Sequence, residues 1–157
     1  MKMKQLQEYR AKLIDRLEAA TDEFRSACLA IRDPYQTTDE DGWNIHQLAV
    51  HTRDADKLVY GLRIRRTVEE DNPEFENFDQ DAWMTANYDP DEPLASILDE
   101  LSASVTEVVS ILRNLTLEAW GRKSSHEVYG GGFTLQTWVE RGLAHIQEHL
   151  ESVQKVS

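Results

Sequence analysis

Apolar periodicity in this sequence predicts an all-α protein, a four-helix bundle. Three observations carry that prediction. Four long segments place apolar residues three or four apart, no segment alternates apolar with polar residues as a strand does, and two of the connections are long. A chain of 157 residues, 40% of them hydrophobic, has a one-domain length and enough apolar mass for one sizeable core, so residues 1-157 are read as a single domain.

The first segment runs from Lys4 to Arg32, with Leu6, Tyr9, Leu13, Leu17, Phe24, Ala27, Cys28 and Ile31 on one stripe and no internal Gly or Pro. Asp33-Pro34 ends it, because the residue before a proline is pushed out of the helical region. Cys28 is the sole cysteine, which excludes an internal disulfide and a cysteine-rich zinc finger; on the buried stripe it reads as a small core residue.

A polar, acidic linker from Tyr35 to Gly42 follows, and Asn44 with Gln47 three residues on forms a capping-box pattern that opens the second helix. That helix is expected from Trp43 to about Val68, with Leu48, His51, Ala55, Leu58 and Leu62 facing the core. His46 falls on another side with Arg53 and Lys57 and is expected to be solvated.

Between Glu69 and Pro93 the chain is acidic and interrupted by Pro73, Pro90 and Pro93, with Phe75, Phe78, Trp83 and Tyr88 as anchors and a short helix near Asp79 to Asn87. The stretch DNPEFENFDQD lacks the glycine and carboxylate order of an EF-hand, so it reads as a crossover. The third helix starts near Pro93, closes near Asn114, and carries Leu94, Ile97, Leu98, Leu101, Val105, Val108, Val109 and Leu112 with no ionisable residue among them. It is scaffold. One helical turn is expected at Thr116 to Trp120, a flexible turn at SSHEVYGGG, and a cap at Thr134 for the last helix.

That last helix, TLQTWVERGLAHIQEHLESVQ, places Leu135, Trp138, Gly142, His145, His149 and Val153 on one stripe. His145 and His149 are one turn apart, a spacing that lets both imidazoles reach one ion. In a bundle the second and last helices can face each other, so His51 joins them as a third candidate ligand. Three neutral imidazoles leave a position free for water or substrate, the pattern of a catalytic metal site. Burying three imidazoles without a shared purpose would require satisfying each polar ring separately, at about 1–3 kcal/mol for any that failed. HIQEH also reads as H-x-x-E-H, but the few residues after His149 leave no room for that motif's downstream ligand, and Glu148 is read as peripheral. Asp54, one turn after His51, is a candidate catalytic residue that orients a ligand or touches a bound water, against the alternative of an exposed carboxylate paired with Lys57.

The charge of −12 and pI near 4.8 argue against nucleic acid and against anionic lipid, and favour a small or neutral ligand, a small-molecule partner. The N-terminus has no apolar run behind its basic residues and no stretch reaches membrane-spanning length, so a cytoplasmic location is expected.

In WNIHQLAVHTRDAD, Trp43, His51 and Asp54 match a W-x(7)-H-x-x-D pattern, with Thr52 where leucine is common and Asp56 where glutamate is. LEAWGR supplies Glu118, Trp120 and Arg122 ahead of the last helix, and GGFTLQTWVERGLAHIQEH supplies the paired histidines. With these residues the chain resembles the DinB-like superfamily of metal-binding bundles over nearly its whole length. The resemblance implies an up-down-down-up bundle, a divalent metal such as nickel or zinc on His51, His145 and His149, and a homodimer. The resemblance implies function less firmly: some relatives are thiol transferases acting with a low-molecular-weight thiol, others are described as metal-dependent hydrolases, and many have no known reaction. Two classes follow: an enzyme activating water or a small thiol, with Trp83, His126 and Trp138 shaping its pocket, or a non-catalytic metal- or ligand-binding stress-response protein. A cavity open at the histidines favours the first, and an enclosed site the second.

Overall fold

A computed structural model describes residues 2–40 and 42–156; Met1, Asp41, which falls in the linker, and Ser157 lie outside the described residues. The first bundle helix, α1 (Met3–Ala30), buries Leu13, Leu17, Phe24 and Cys28 against the third and last bundle helices. Its first two turns bury no residue, and Tyr9 there is exposed instead of lying on the buried stripe, its hydroxyl bonding to Glu140 on the last bundle helix. Burial pushes the Cys28 thiol up to about 12, which fits an inert core residue.

The second bundle helix is opened as the capping box predicts: Asn44 accepts from the Gln47 N–H at 2.7 Å while Gln47 accepts from the Asn44 N–H at 2.9 Å. It is not uniform. An α-helical part α2 (Ile45–Ala55) and another, α3 (Gly61–Glu69), are joined by a π turn over Asp56–Tyr60, where the Gly61 N–H reaches the Asp56 carbonyl. A π turn fits one extra residue into the helix. The buried face therefore advances by one position: Val59 and Arg63 are buried, while Leu58 is half-buried and Leu62 is exposed, against the expectation for those two leucines. Gly61 is required at this point, since a Cβ there would lie 2.6 Å from the Asp56 carbonyl oxygen.

The crossover after α3 contains α4 (Gln80–Asn87), capped by Asp79, as expected. It covers the side of α2 that carries His46. That residue, expected in solvent, is 1% exposed, with Nδ1 2.7 Å from the Tyr88 hydroxyl and Nε2 2.6 Å from the Glu92 carbonyl. Arg53 beside it is also buried, ion-paired to Asp54 and Glu92. The third bundle helix, α5 (Leu94–Arg113), begins after Pro93 and buries only apolar residues and Ser104.

A second departure comes next. A 3-10 turn at Glu118–Gly121 leads not to a flexible turn but to a hairpin, β2 (Lys123–His126) with β3 (Gly130–Thr134), and β1 (Glu74–Phe75) from the crossover adds to it in parallel. Gly130 and Gly132, at φ of +88° and +84°, supply backbone conformations that side-chain-bearing residues avoid. Arg122 ties this unit to α3 by donating to the Thr67 and Glu70 carbonyls at 2.8 and 2.7 Å, at the helix end where carbonyls lack intrahelical donors. Thr134 caps α6 (Leu135–Gln154), accepting from the Thr137 N–H at 3.2 Å. The bundle is thus α1, the α2–π–α3 helix, α5 and α6. No helix among the described residues is long and apolar enough to cross a membrane.

Candidate metal centre

The second and last bundle helices meet where their stripes carry histidine. Gly142 permits the approach: a methyl there would come within 3.3 Å of the Tyr60 Cβ on the π turn. One turn later His145 and His149 project toward His51, and one ligand atom of each of the three lies within 4.8 Å of the others. The His145 Nε2 is 3.0 Å from the His51 Nε2 and 2.7 Å from the His149 Nε2. Three imidazole nitrogens sharing one ion at about 2.0–2.1 Å stand about 2.9–3.4 Å apart, so one separation falls in that range and the other just short of it. Among the described residues these three Nε2 atoms bond only to one another. Converging lone pairs with no protein donor of their own are what a cation relieves.

His149 is oriented from behind. Its Nδ1 lies 3.1 and 2.8 Å from the two Glu40 carboxylate oxygens, and the Ser152 hydroxyl donates to Glu40 at 2.6 Å. A proton on Nδ1 facing a carboxylate leaves the Nε2 lone pair free, the usual arrangement behind a metal-ligating histidine. Burial, together with the neighbouring His149, pushes His51 down to about 3, and burial foremost holds His145 well below the ordinary imidazole range. Both rings are therefore neutral, hence competent ligands, at neutral pH. Trp43 lies edge-on to His51 at 5.0 Å and Tyr60 tilts against His145 at 5.0 Å between centroids, fixing the ring planes.

The cluster is not sealed. His51 and His145 line a cavity of about 270 Å³ whose other walls include Tyr60, Phe78 and Trp138. The hairpin contributes His126 and Tyr129, and the helices contribute Arg63 and Arg141. Of the three residues expected to shape the pocket, His126 and Trp138 do, whereas Trp83 is not among the lining residues; its indole instead donates to Asp54 at 3.1 Å.

Asp54 has both carboxylate oxygens engaged away from the cavity, Oδ1 by Arg53 at 3.0 Å and Oδ2 by Trp83. It neither lines the cavity nor pairs with Lys57, which faces Glu100. Glu40, Tyr60, Arg63 and Arg141 also border the histidines or the cavity, and sequence reasoning pointed to none of them. Glu40 sits in a linker with the composition of solvated chain and carries no local signal. The π turn that redirects Arg63 did have one, an isolated glycine at position 61 inside a helical pattern.

A sequence profile of the DinB superfamily matches residues 5–153. None of the curated proteins compared with the chain matches significantly. A solved structure similar to this one is that of YfiT from Bacillus subtilis, with a TM-score of 0.83 and 20% sequence identity, covering 100% of this chain and 88% of that one. YfiT is described as a probable metal-dependent hydrolase with an unusual four-helix bundle topology. At that identity the likeness shows a shared fold.

Proposed function

This chain belongs to the DinB superfamily, and from that membership and the converging histidines we propose that it is a metal-dependent enzyme, with hydrolysis as its reaction class. The observation that carries the reading is the set of three Nε2 atoms that face one another at 2.7 and 3.0 Å and also border an open cavity. His51, His145 and His149 would hold one divalent cation such as nickel or zinc, both of which imidazole nitrogens suit. The chemistry such a cation would supply there is that of a Lewis acid, making water or a thiol more acidic.

The chain's own residues do the rest. Glu40 holds the His149 tautomer, and Ser152 holds Glu40. Burial raises the Tyr60 phenol above its ordinary value, so beside His145 it stays a protonated hydroxyl that can donate to a developing oxyanion. Phe78 and Trp138 give the cavity apolar walls that restrict water. Cavity access to His51 and His145 favours turnover over a closed, purely metal-storing role. Water rather than a small thiol is favoured as the activated group by the hydrolase description of YfiT. Asp54 acts at a distance, through the Trp83 and Arg53 contacts that fix α2.

The test is metal analysis of untagged protein followed by a panel of ester and amide substrates. About one zinc or nickel per chain, with hydrolysis lost on chelation and restored by that metal, is expected. Protein that purifies and reconstitutes without stoichiometric metal sinks the reading.

A further inference from the structure

The cavity beside the histidines carries a charge opposite to that of the protein around it. The chain has 29 acidic against 17 basic residues, yet among the described residues no acidic one lines the cavity while two arginines do. Arg25, Arg53, Arg65, Arg66, Arg113 and Arg122 each have a carboxylate within 4.0 Å. Among the described residues Arg63 and Arg141 form no such pair; Arg10, Arg16 and Arg32 form none either, but they lie away from the cavity, so the unpaired guanidinium groups at its wall are these two.

Arg63 is only 8% exposed. Its guanidinium lies 4.8 Å from the Trp138 ring centroid and 5.7 Å from that of Phe75, and one nitrogen donates to the Glu76 carbonyl at 3.2 Å. The aromatic faces and one carbonyl offset part of the cost of burial but leave most of the five N–H donors without a protein acceptor among the described residues. Arg141, one turn before His145, lies 5.8 Å from the same Trp138 ring and 5.1 Å from Phe133. Both guanidinium groups therefore border one indole on the cavity wall. His126 adds to the imbalance: its Nδ1 accepts from the Val128 and Tyr129 N–H groups at 3.1 and 3.3 Å, so the neutral ring carries its proton on Nε2 as a further donor. Burial first, and the Arg141 charge in part, lower Arg63 from its ordinary value, a repulsion that an anion between them would relieve.

We infer that this cavity takes a substrate bearing a compact oxyanion, a carboxylate or a phosphate, gripped by Arg63 and Arg141 beside the three histidines. Planar guanidinium forks suit both groups, and in a cavity walled by rings such contacts are stronger than in water. The acidic exterior does not oppose this at short range, because exposed charges are screened over about 8 Å at physiological ionic strength. That the anion belongs to a substrate rests on the metal-dependent reading; its capture by the arginines does not.

The experiment titrates succinate and, separately, inorganic phosphate into metal-free and zinc-loaded protein at constant ionic strength, following tryptophan fluorescence, with zinc content measured on the same samples. Saturable binding of at least one anion in both metal forms is expected, weakened tenfold or more in Arg141→Gln and in Arg63→Gln, with zinc stoichiometry unchanged. Succinate alone, phosphate alone, or both responding identifies which oxyanion the site accepts. Arg141 is exposed, so its variant keeps the test valid if Arg63→Gln unfolds. No saturable response to either anion, or equal affinity in the Arg141 variant, overturns the inference. Zinc failing to bind while the anion still does would remove the metal reading and leave the anion site standing.

Discussion

Two histidine environments lie five residues apart on the same helix, and they differ in what completes them. His46 is 1% exposed and His51 3%, so burial does not separate them. The His46 ring has a hydroxyl on one nitrogen and a backbone carbonyl on the other, and it stacks on Tyr35 at 5.3 Å. Every polar atom of that ring is satisfied by the protein, as a structural buried histidine requires. At His51 the Nε2 finds only another imidazole nitrogen, which in turn finds a third. A buried histidine is thus not a site in itself; the incomplete partner set marks one.

The sharpest way to break this comparison is to delete each ring in turn. His51→Ala is expected to abolish stoichiometric metal while leaving helical circular dichroism largely intact, because the apolar stripes of α1, α5 and α6 hold the bundle. His46→Ala is expected to keep full metal but to destabilise the fold by about 1–3 kcal/mol, since the Tyr88 hydroxyl and Glu92 carbonyl lose a buried partner. Elemental analysis paired with urea unfolding reads both. Metal retained by His51→Ala, or lost in His46→Ala, would show that partner sets do not distinguish the two environments.

The contrast also explains what could be read from the residues alone. His145 and His149 share a turn, and His51 interrupts an apolar face, so all three announce themselves by local periodicity. The fate of His46 is decided by Tyr88 and Glu92, more than forty positions along the chain in the crossover, and no local pattern reports which face a crossover will cover. Glu40 was hidden for the same reason. The hairpin escaped because KSSH and GGGFT are too short and polar to alternate, and they pair by virtue of glycine geometry and the Arg122 anchor. The four bundle helices were legible because each carries its own apolar stripe.

A third buried group on this helix sharpens the comparison from the acid side. Asp56 is 8% exposed, and its Oδ2 has no hydrogen-bond partner. Burial pushes its carboxyl up to about 6 from 3.8, with Ser104 and Arg65 pulling back only in part. A carboxyl whose pKa is raised by folding binds its proton more tightly in the native state. Its contribution is therefore fully present below about pH 4 and is lost as pH rises through about 6. Asp56→Asn, neutral and of the same shape, should be more stable than the parent at pH 8 by up to about 3 kcal/mol, with the gain shrinking toward pH 4. Urea unfolding of both proteins at the two pH values measures it. A difference that does not change with pH would mean that Asp56 is solvated enough to be an ordinary surface acid.

The smallest effect expected is at Glu40, the residue that does for His149 what Tyr88 and Glu92 do for His46. Its carboxylate faces the His149 Nδ1 at 2.8 Å and receives the Ser152 hydroxyl at 2.6 Å. Glu40→Gln keeps the size and one acceptor oxygen but removes the charge that holds the proton on Nδ1. The ring then gains access to the tautomer with the proton on Nε2, which cannot ligate. Partners of this kind behind a metal ligand typically change affinity by about 10–100-fold, equivalent to about 1.4–2.7 kcal/mol. Competition against a chromophoric chelator should therefore show zinc bound stoichiometrically but more weakly by that factor. The unfolding midpoint of the metal-free protein should barely move, because the Glu40 side chain is still partly exposed, at 21%. If zinc affinity is unchanged while metal-free stability falls, Glu40 is a structural ion pair. The His149 ring is then fixed by packing alone, and its back side resembles that of His46 more than the present geometry implies.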